Sequence, residues 1–134
     1  MPGRASFSWP IRVYYEDTDA GGVVYHANYL RYLERARTEW LRSHGVMQSE
    51  LSRERGIVFA VAAIEIRFLA PARLDDALIA TCVLEERRAA SLRFTQLLLR
   101  TTDNASLIHA RVRAACLDAT SFRPRPIPDD LILE

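Results

Sequence analysis

The chain has 134 residues, the length of one domain, and 49% of them are hydrophobic while 26% are charged, a balance typical of folded globular proteins. A net charge of +1 argues against a nucleic-acid binder, because such proteins need a concentrated positive field. All 18 cationic side chains are arginine, so Schiff-base chemistry, which requires a lysine amine, is excluded.

The first third of the sequence changes from a strand pattern to a helix pattern. Alternating apolar residues predict a first strand from Trp9 to Tyr15. The turn-forming stretch Asp17-Thr18-Asp19-Ala20-Gly21-Gly22 follows it. From Ala27 to His44, apolar residues recur at helical spacing and predict a long amphipathic helix. A short second helix is expected from Gln48 to Arg55.

The rest of the chain is rich in strand patterns, with further strands predicted at Val58 to Phe68, Leu78 to Leu84, Ser91 to Thr101 and Ile108 to Leu117. In the first of these, we expect the even-numbered residues to share one face. The short connections exclude a parallel sheet, whose strands need long crossovers. The sequence therefore predicts one α+β domain over residues 1–134, with an antiparallel sheet packed on one long helix. Several strands lack a polar face, which suggests an oligomer.

Bulk features also predict the cellular setting. Cys82 and Cys116 lie in apolar runs without the spacing of metal ligands, so we expect buried, reduced thiols. The segment from Met1 to Pro10 lacks the apolar core of a signal peptide, and no apolar run reaches the ~20 residues of a membrane span. These observations predict a soluble, cytoplasmic protein, and no metal site is expected.

The loop before the long helix carries the best candidate for chemistry. Asp19 lies in a glycine-containing loop that leads directly into the helix start, where unpaired backbone N–H groups and the positive end of the helix dipole lie. A carboxylate beside such donors suits acyl transfer or hydrolysis. The alternative is that Asp17 and Asp19 only form the turn. A calcium-binding loop is excluded, because the bidentate glutamate is missing and a strand precedes the loop.

Short motifs spaced along the chain resemble a known family. Arg12-Val13, Thr18-Asp19, Gly22-Val23-Val24-Tyr25 and Asn28-Tyr29 together resemble the signature of the 4-hydroxybenzoyl-CoA thioesterase family. The stretches 13–26, 34–39, 70–76, 94–96 and 123–126 resemble more closely the bacterial acyl-CoA thioesterases associated with the Tol-Pal system. The resemblance covers nearly the whole chain.

The resemblance implies a fold, an activity and a site. The fold is the hotdog fold, an antiparallel sheet wrapped around one long helix, assembled into homodimers or homotetramers. The activity is acyl-CoA hydrolysis without a cofactor, with Asp19 as general base or nucleophile, the backbone N–H of His26 as oxyanion donor, and Tyr15 and the His26 side chain near the site. The alternative is a non-catalytic scaffold of the Tol-Pal system that docks acyl carrier protein.

Arginines on the predicted strands offer a second kind of contact. Arg93, Arg111 and Arg113 are candidates for binding the phosphates of coenzyme A, because the guanidinium group pairs well with phosphate. The alternative is that each belongs to a solvated outer face of the sheet. The acyl chain length is not readable from the residues.

Overall fold

A computed structural model describes residues 7–133 of the chain. Its elements in chain order are β1 (Phe7–Arg12), α1 (Asn28–Ser43), α2 (Gln48–Arg55), β2 (Ile57–Phe68), β3 (Ala77–Arg87), β4 (Ser91–Arg100) and β5 (Ser106–Asp118). The strands form one antiparallel sheet in the order β1-β3-β4-β5-β2. The α+β architecture is therefore confirmed. Residues 1–6, most of the segment considered above as a signal peptide, lie outside the described residues. Within residues 7–133, no helix is long and apolar enough to cross a membrane.

Helix α1 packs on the inner face of the sheet because its apolar residues share one side. Its buried residues include Tyr29, Leu33 and Ala36 towards the N-terminal half and Trp40 and Leu41 towards the C-terminal half. The first three belong to one core cluster and the last two to a second. The helix thus spans the whole core, and its N-terminus is held at one end of the sheet.

Strand β1 is shorter than predicted. The structure ends it at Arg12, and Tyr15 lies instead in a short 3₁₀ turn, Tyr15–Asp17. The Asp17 carboxylate causes this difference, because its Oδ2 accepts a hydrogen bond from the backbone N–H of Tyr14 at 2.8 Å and closes the turn. The prediction that the strand continued to Tyr15 was wrong, because alternation alone does not detect a side chain that bonds its own backbone.

Strand β2 does not keep one face along its length. Its pairing with β5 shifts between Val61 and Ala63, so Ala62 is the extra residue of a β-bulge. A bulge moves the alternation by one residue. The even-numbered residues therefore share the inner face only after the bulge, and before it that face carries odd-numbered residues. The inner-face residues lie opposite buried residues of β5, and they are Phe59, Val61, Ile64, Ile66 and Phe68.

Both cysteines are free and buried. Burial raises the pKa of the Cys82 thiol to about 12, and the nearby Arg37 only partly opposes this effect. Burial also raises the pKa of the Cys116 thiol. Neither thiol is therefore expected to react as a thiolate at neutral pH, because the thiolate is the reactive form.

The raised thiol pKa makes stability depend on pH. An unfolded cysteine ionises near a pKa of about 8.5, so the unfolded state loses its proton first and is favoured as the pH rises. The stabilisation by the buried Cys82 thiol is complete below that value and is lost progressively towards pH 12. We expect the free energy of unfolding in urea to fall by roughly 1–2 kcal/mol between about pH 8 and 10. Cys82→Ala should reduce this slope, and a slope unchanged in that variant would contradict the assignment.

Candidate active site

Asp17 is a buried anchor of the loop between β1 and α1. The residue is 7% exposed, and its Oδ1 accepts a hydrogen bond from Nδ2 of Asn28, the first residue of α1, at 3.1 Å. Its carbonyl oxygen accepts the backbone N–H of Tyr25 at 2.9 Å. Burial and the neighbouring Asp17 carboxylate raise the pKa of Tyr32, so that phenol stays neutral. Asp17 thus joins the 3₁₀ turn to the start of the helix, and both of its carboxylate oxygens accept hydrogen bonds.

Asp19 differs from Asp17 in both exposure and bonding. It is exposed, and its Oδ1 accepts the backbone N–H of Gly21 at 2.8 Å. A Cβ at Gly21 would lie 3.2 Å from that same oxygen, so glycine leaves room for the carboxylate. Within residues 7–133, no hydrogen bond or ion pair engages Asp19 Oδ2. One oxygen of Asp19 is therefore oriented by the loop while the other is available to a ligand.

The loop doubles back on itself beyond Asp19 and brings the chain to the helix start. The N–H of Asp19 donates to the carbonyl oxygen of Val23 at 2.9 Å, and Thr18 pairs with Val24 in an isolated antiparallel bridge. Gly22, at φ +79°, makes the reversal possible, because positive φ is strained for residues with a side chain. Asp17 and Asp19 therefore lie on the first arm of this hairpin, and His26 follows the second arm.

The start of α1 presents unused donors. His26 and Ala27 immediately precede the helix, and no side chain caps it. Among the described residues, no hydrogen bond has the backbone N–H of His26 or of Ala27 as its donor. The positive end of the helix dipole lies at the same place. These groups form the kind of site that stabilises a negative oxygen.

A cavity of about 350 Å³ opens beside His26. It is lined by Val24, His26, Tyr29 and the segment from Phe68 to Pro71. The Tyr29 hydroxyl accepts the backbone N–H of Ala72 at 3.0 Å, which fixes one wall. Burial raises the pKa of Tyr29, and the negative charge of Asp19 acts in the same direction. Asp19 does not line the cavity, but its charge acts on Tyr29, which does.

Tyr15 is placed differently from the other two predicted site residues. The residue is 82% exposed, and among residues 7–133 only its carbonyl oxygen is engaged, by the N–H and Oγ1 of Thr18. No hydrogen bond between Tyr15 and Asp19 is found in the described part of the chain. A role for the Tyr15 side chain stays a prediction.

The three strand arginines lie away from α1. Arg93 pairs with Arg113 in register, and Arg111 lies two residues from Arg113 on the same strand. Their neighbours along the strands, Phe94 and Val112, are buried beneath the helix, so the arginines belong to the opposite, outer face. There they line a shallow cavity of about 390 Å³ together with Glu65. Their contact with coenzyme A phosphates stays a prediction.

Residue-by-residue reasoning missed two groups that the fold brings together, Arg37 and Gln96. The Arg37 Nη1 donates to Gln96 Oε1 at 3.0 Å across 59 residues of sequence. The sequence did contain one clue to both residues, since the stretches 34–39 and 94–96, in which they lie, resemble the same thioesterases.

Comparisons with known proteins agree with this geometry. Residues 13–133 match the model of the thioesterase-like superfamily. The chain is 46% identical over 128 residues to the acyl-CoA thioester hydrolase YbgC of Escherichia coli O6:H1, covering 96% of this chain and 94% of that protein. It is 44% identical over 125 residues to the acyl-CoA thioesterase YbgC of Haemophilus influenzae, covering 93% of this chain and 90% of that protein.

A solved structure supports the fold. The 4-hydroxybenzoyl-CoA thioesterase of Pseudomonas sp. strain CBS-3 superposes with a TM-score of 0.87 at 26% identity, covering 94% of this chain and 96% of that one. The five-stranded sheet with its long helix is thus the hotdog arrangement that the resemblance implied. The chain belongs to the thioesterase-like superfamily.

Proposed function

We infer that the protein hydrolyses the thioester of acyl-CoA to a free acid and coenzyme A. The observation that carries this inference is found in one hairpin, where, among residues 7–133, one Asp19 oxygen has no partner and the N–H groups of His26 and Ala27 donate no hydrogen bond. Thioester hydrolysis needs both parts, since an attacking or base group acts on the carbonyl carbon while donors hold the oxygen that becomes negative.

The reaction follows from these parts. The substrate carbonyl oxygen accepts the N–H of His26, and one such donor is worth about 10²–10³-fold in rate. Asp19 then either attacks the carbonyl carbon or removes a proton from a water that attacks it. In the first route the Asp19 oxygen bonds to the carbonyl carbon and the coenzyme A thiolate departs, which forms a mixed anhydride of Asp19 and the acyl group. Water then hydrolyses the anhydride to the acid and free Asp19. In the second route the tetrahedral intermediate expels the thiolate directly. Either way, one carboxylate and one donor complete the chemistry.

Release of free thiol from a panel of acyl-CoAs, straight-chain and aromatic, tests this function. We expect the protein to hydrolyse at least one class of acyl-CoA, straight-chain or aromatic, and to lose this activity when Asp19 is changed. If the purified protein releases no thiol from any of them, the hydrolase inference fails. The alternative, a scaffold that docks acyl carrier protein in the Tol-Pal system, would then be preferred.

We propose that the protein acts in the cytoplasm, where thiols stay reduced. The two buried free cysteines support this compartment. Acyl carrier protein is a second candidate for the carrier of the acyl group, because Arg93, Arg111 and Arg113 on the outer face of the sheet would suit an acidic partner. Thiol release from acyl-CoA and from acyl carrier protein with the same acyl group distinguishes the two carriers.

We propose that two copies pair through strand β2. It is an edge strand of 12 residues, and the inner-face residues Val61, Ile64 and Phe68 are 48%, 38% and 53% exposed. A long apolar edge with unpaired backbone groups is a liability that a second copy removes. Antiparallel pairing of β2 with its copy is self-complementary, and two such dimers would make the homotetramer implied by the resemblance.

A substitution at the bulge tests this interface. We expect sedimentation to give a mass two or four times the 15.3 kDa of the chain. Ala62→Pro should shift this mass towards one chain, because proline removes a backbone donor. Ala62 is not paired with β5, so the sheet within each copy should persist. Ala62→Ser keeps the N–H and should remain assembled. A wild-type mass of one chain would contradict the proposal.

A further inference from the structure

The segment between β2 and β3 contacts the chain on both sides of His26. Its residue Ala72 is 0% exposed, and the carbonyl oxygen of Ala72 accepts the backbone N–H of Val24 at 2.8 Å. The backbone N–H of Ala72 donates to the hydroxyl of Tyr29 at 3.0 Å. Val24 precedes His26 by two residues, and Tyr29 lies in the first turn of α1. One buried residue therefore holds both flanks of the short stretch that carries the proposed oxyanion donor.

Arg100, the last residue of β4, holds the peptide group to which the Ala72 N–H belongs. Its Nη2 donates to the carbonyl oxygen of Pro71 at 3.0 Å. That carbonyl and the N–H of Ala72 are parts of one planar peptide group. Turning the carbonyl away from Arg100 would therefore also turn the N–H away from Tyr29. A cation at the oxygen also polarises the group, which makes its N–H a stronger donor.

Arg100 contacts the same segment at a second point. Its Nε lies 3.4 Å from Oδ2 of Asp76, an ion-pair contact rather than a hydrogen bond. That oxygen also accepts the backbone N–H of Arg73 at 2.9 Å, and Arg73 pairs with Val23 in an isolated antiparallel bridge. The side chains of Arg100 and Asp76 are only 19% and 22% exposed, so solvent screens this contact less than an open surface pair. Both contacts of Arg100 thus act on the hairpin arm that leads to His26.

The direction of the His26 N–H depends on such neighbouring contacts. Among residues 7–133 it donates no hydrogen bond, so its own bonding does not orient it before substrate arrives. An oxyanion donor has to lie within about 2.7–3.1 Å of the oxygen that becomes negative. A misplacement of about 1 Å in a site can cost ~10²-fold in rate. Asp17 supplies one anchor, through Asn28, and Ala72 supplies the second.

We propose that Arg100 is a positioning residue for the oxyanion donor, because it fixes the peptide group between Pro71 and Ala72 and so sets the direction of the His26 N–H. Arg100 does not line the cavity beside His26 and acts on the reaction through this peptide group. The inference rests on the proposed hydrolase function. A donor to the oxyanion acts in the transition state, so its misalignment lowers kcat and kcat/KM together and leaves KM nearly unchanged.

Arg100→Met tests the proposal, because methionine keeps an unbranched stem but donates no hydrogen bond. We expect kcat for acyl-CoA hydrolysis to fall by about 10–100-fold, with KM within about threefold of the wild type. Arg100→Lys keeps a charge towards Asp76 and a donor for Pro71, so it should recover part of kcat.

Arg88→Met is the matched control. Arg88 also pairs with an acid, Glu86, at 2.7 Å, but its side chain is 64% exposed and it precedes β4, whereas Arg100 ends that strand. We expect its kcat to stay within about twofold of the wild type, because exposed ion pairs contribute little.

Amide hydrogen exchange gives a second measurement that does not depend on catalysis. The Val24 N–H, which is bonded to the Ala72 carbonyl, should exchange at least about tenfold faster in Arg100→Met than in Arg88→Met. The amides of β5 should keep their wild-type rates, which separates local loosening from loss of the whole fold.

The outcomes separate the two inferences. If kcat of Arg100→Met equals that of Arg88→Met, or if KM rises while kcat is unchanged, the positioning role is refuted and the hydrolase function stands. If the wild type hydrolyses no acyl-CoA, exchange decides, and an unchanged rate at Val24 overturns the role of Arg100. If Arg100→Met does not fold, Asp76→Asn takes its place, since it removes the charge facing Arg100 but keeps an oxygen for the Arg73 N–H. It should lower kcat by at least about threefold at unchanged KM, and an unchanged kcat overturns the proposal.

Discussion

Asp19→Asn should lower kcat for acyl-CoA hydrolysis by about 10²–10⁴-fold, the usual contribution of a positioned base or nucleophile. The amide keeps an oxygen that can accept the N–H of Gly21, so the loop should keep its shape. It neither attacks a thioester nor takes a proton from water. Steady-state thiol release at saturating substrate measures the effect, and circular dichroism verifies that the fold is unchanged.

Glu16→Gln is the matched control for Asp19→Asn. Glu16 is an exposed acid in the 3₁₀ turn of the same loop, and the substitution removes the same charge. We expect its kcat to stay within about twofold of the wild type, because exposed charges at this range are screened by solvent. Equal activity of Asp19→Asn and the wild type would show that Asp19 is only a turn residue.

Asp17→Ala should destabilise the fold by about 2–4 kcal/mol. The substitution leaves the Tyr14 N–H and the Asn28 side-chain amide without their acceptor, and each lost partner in a buried site costs about 1–3 kcal/mol. Urea denaturation measures the loss. Activity should fall as well, since the start of α1, which carries the His26 N–H, is held by the Asn28 contact.

Glu16→Ala provides the comparison for Asp17→Ala, because it truncates an exposed acid one residue away. We expect its stability to change by less than about 0.5 kcal/mol. Activity and stability together then distinguish the two aspartates. Asp19→Asn should lose activity while keeping its stability, and Asp17→Ala should lose both. A stable but inactive Asp17→Ala together with an active Asp19→Asn would reverse the assignment.

Hydrophobic periodicity and turn residues were sufficient to predict a helix or strand wherever its limits are set by residues nearby in the chain. Helix α2 was expected from Gln48 to Arg55 and occupies those residues, because Gly56 directly follows it in the left-handed conformation and ends it. The long helix agrees with its prediction to within one residue at each end. The strands from β2 onwards lie where alternation and apolar runs predicted them, with ends that differ by at most three residues.

Other features depended on groups distant in sequence. The bulge at Ala62 follows from the match between β2 and β5, so the pattern of β2 alone predicted the wrong inner face for its first half. The contact between Arg37 and Gln96 joins residues that are 59 positions apart and meet only when α1 packs on the sheet. Neither follows from periodicity, which describes one segment at a time.

The elements, the antiparallel α+β class, the family resemblance and the candidate loop between β1 and α1 could all be predicted from the amino-acid sequence, because each is encoded in local spacing or in contiguous motifs. Composition and charge argued against nucleic-acid binding and excluded lysine chemistry. The difference between the two aspartates of that loop depends on how distant segments pack. Asp17 is buried and both of its carboxylate oxygens accept hydrogen bonds, while Asp19 is exposed and, within residues 7–133, only its Oδ1 accepts one. Their spacing in the chain carries no information about burial, which is set by the helix and strands that pack around the loop.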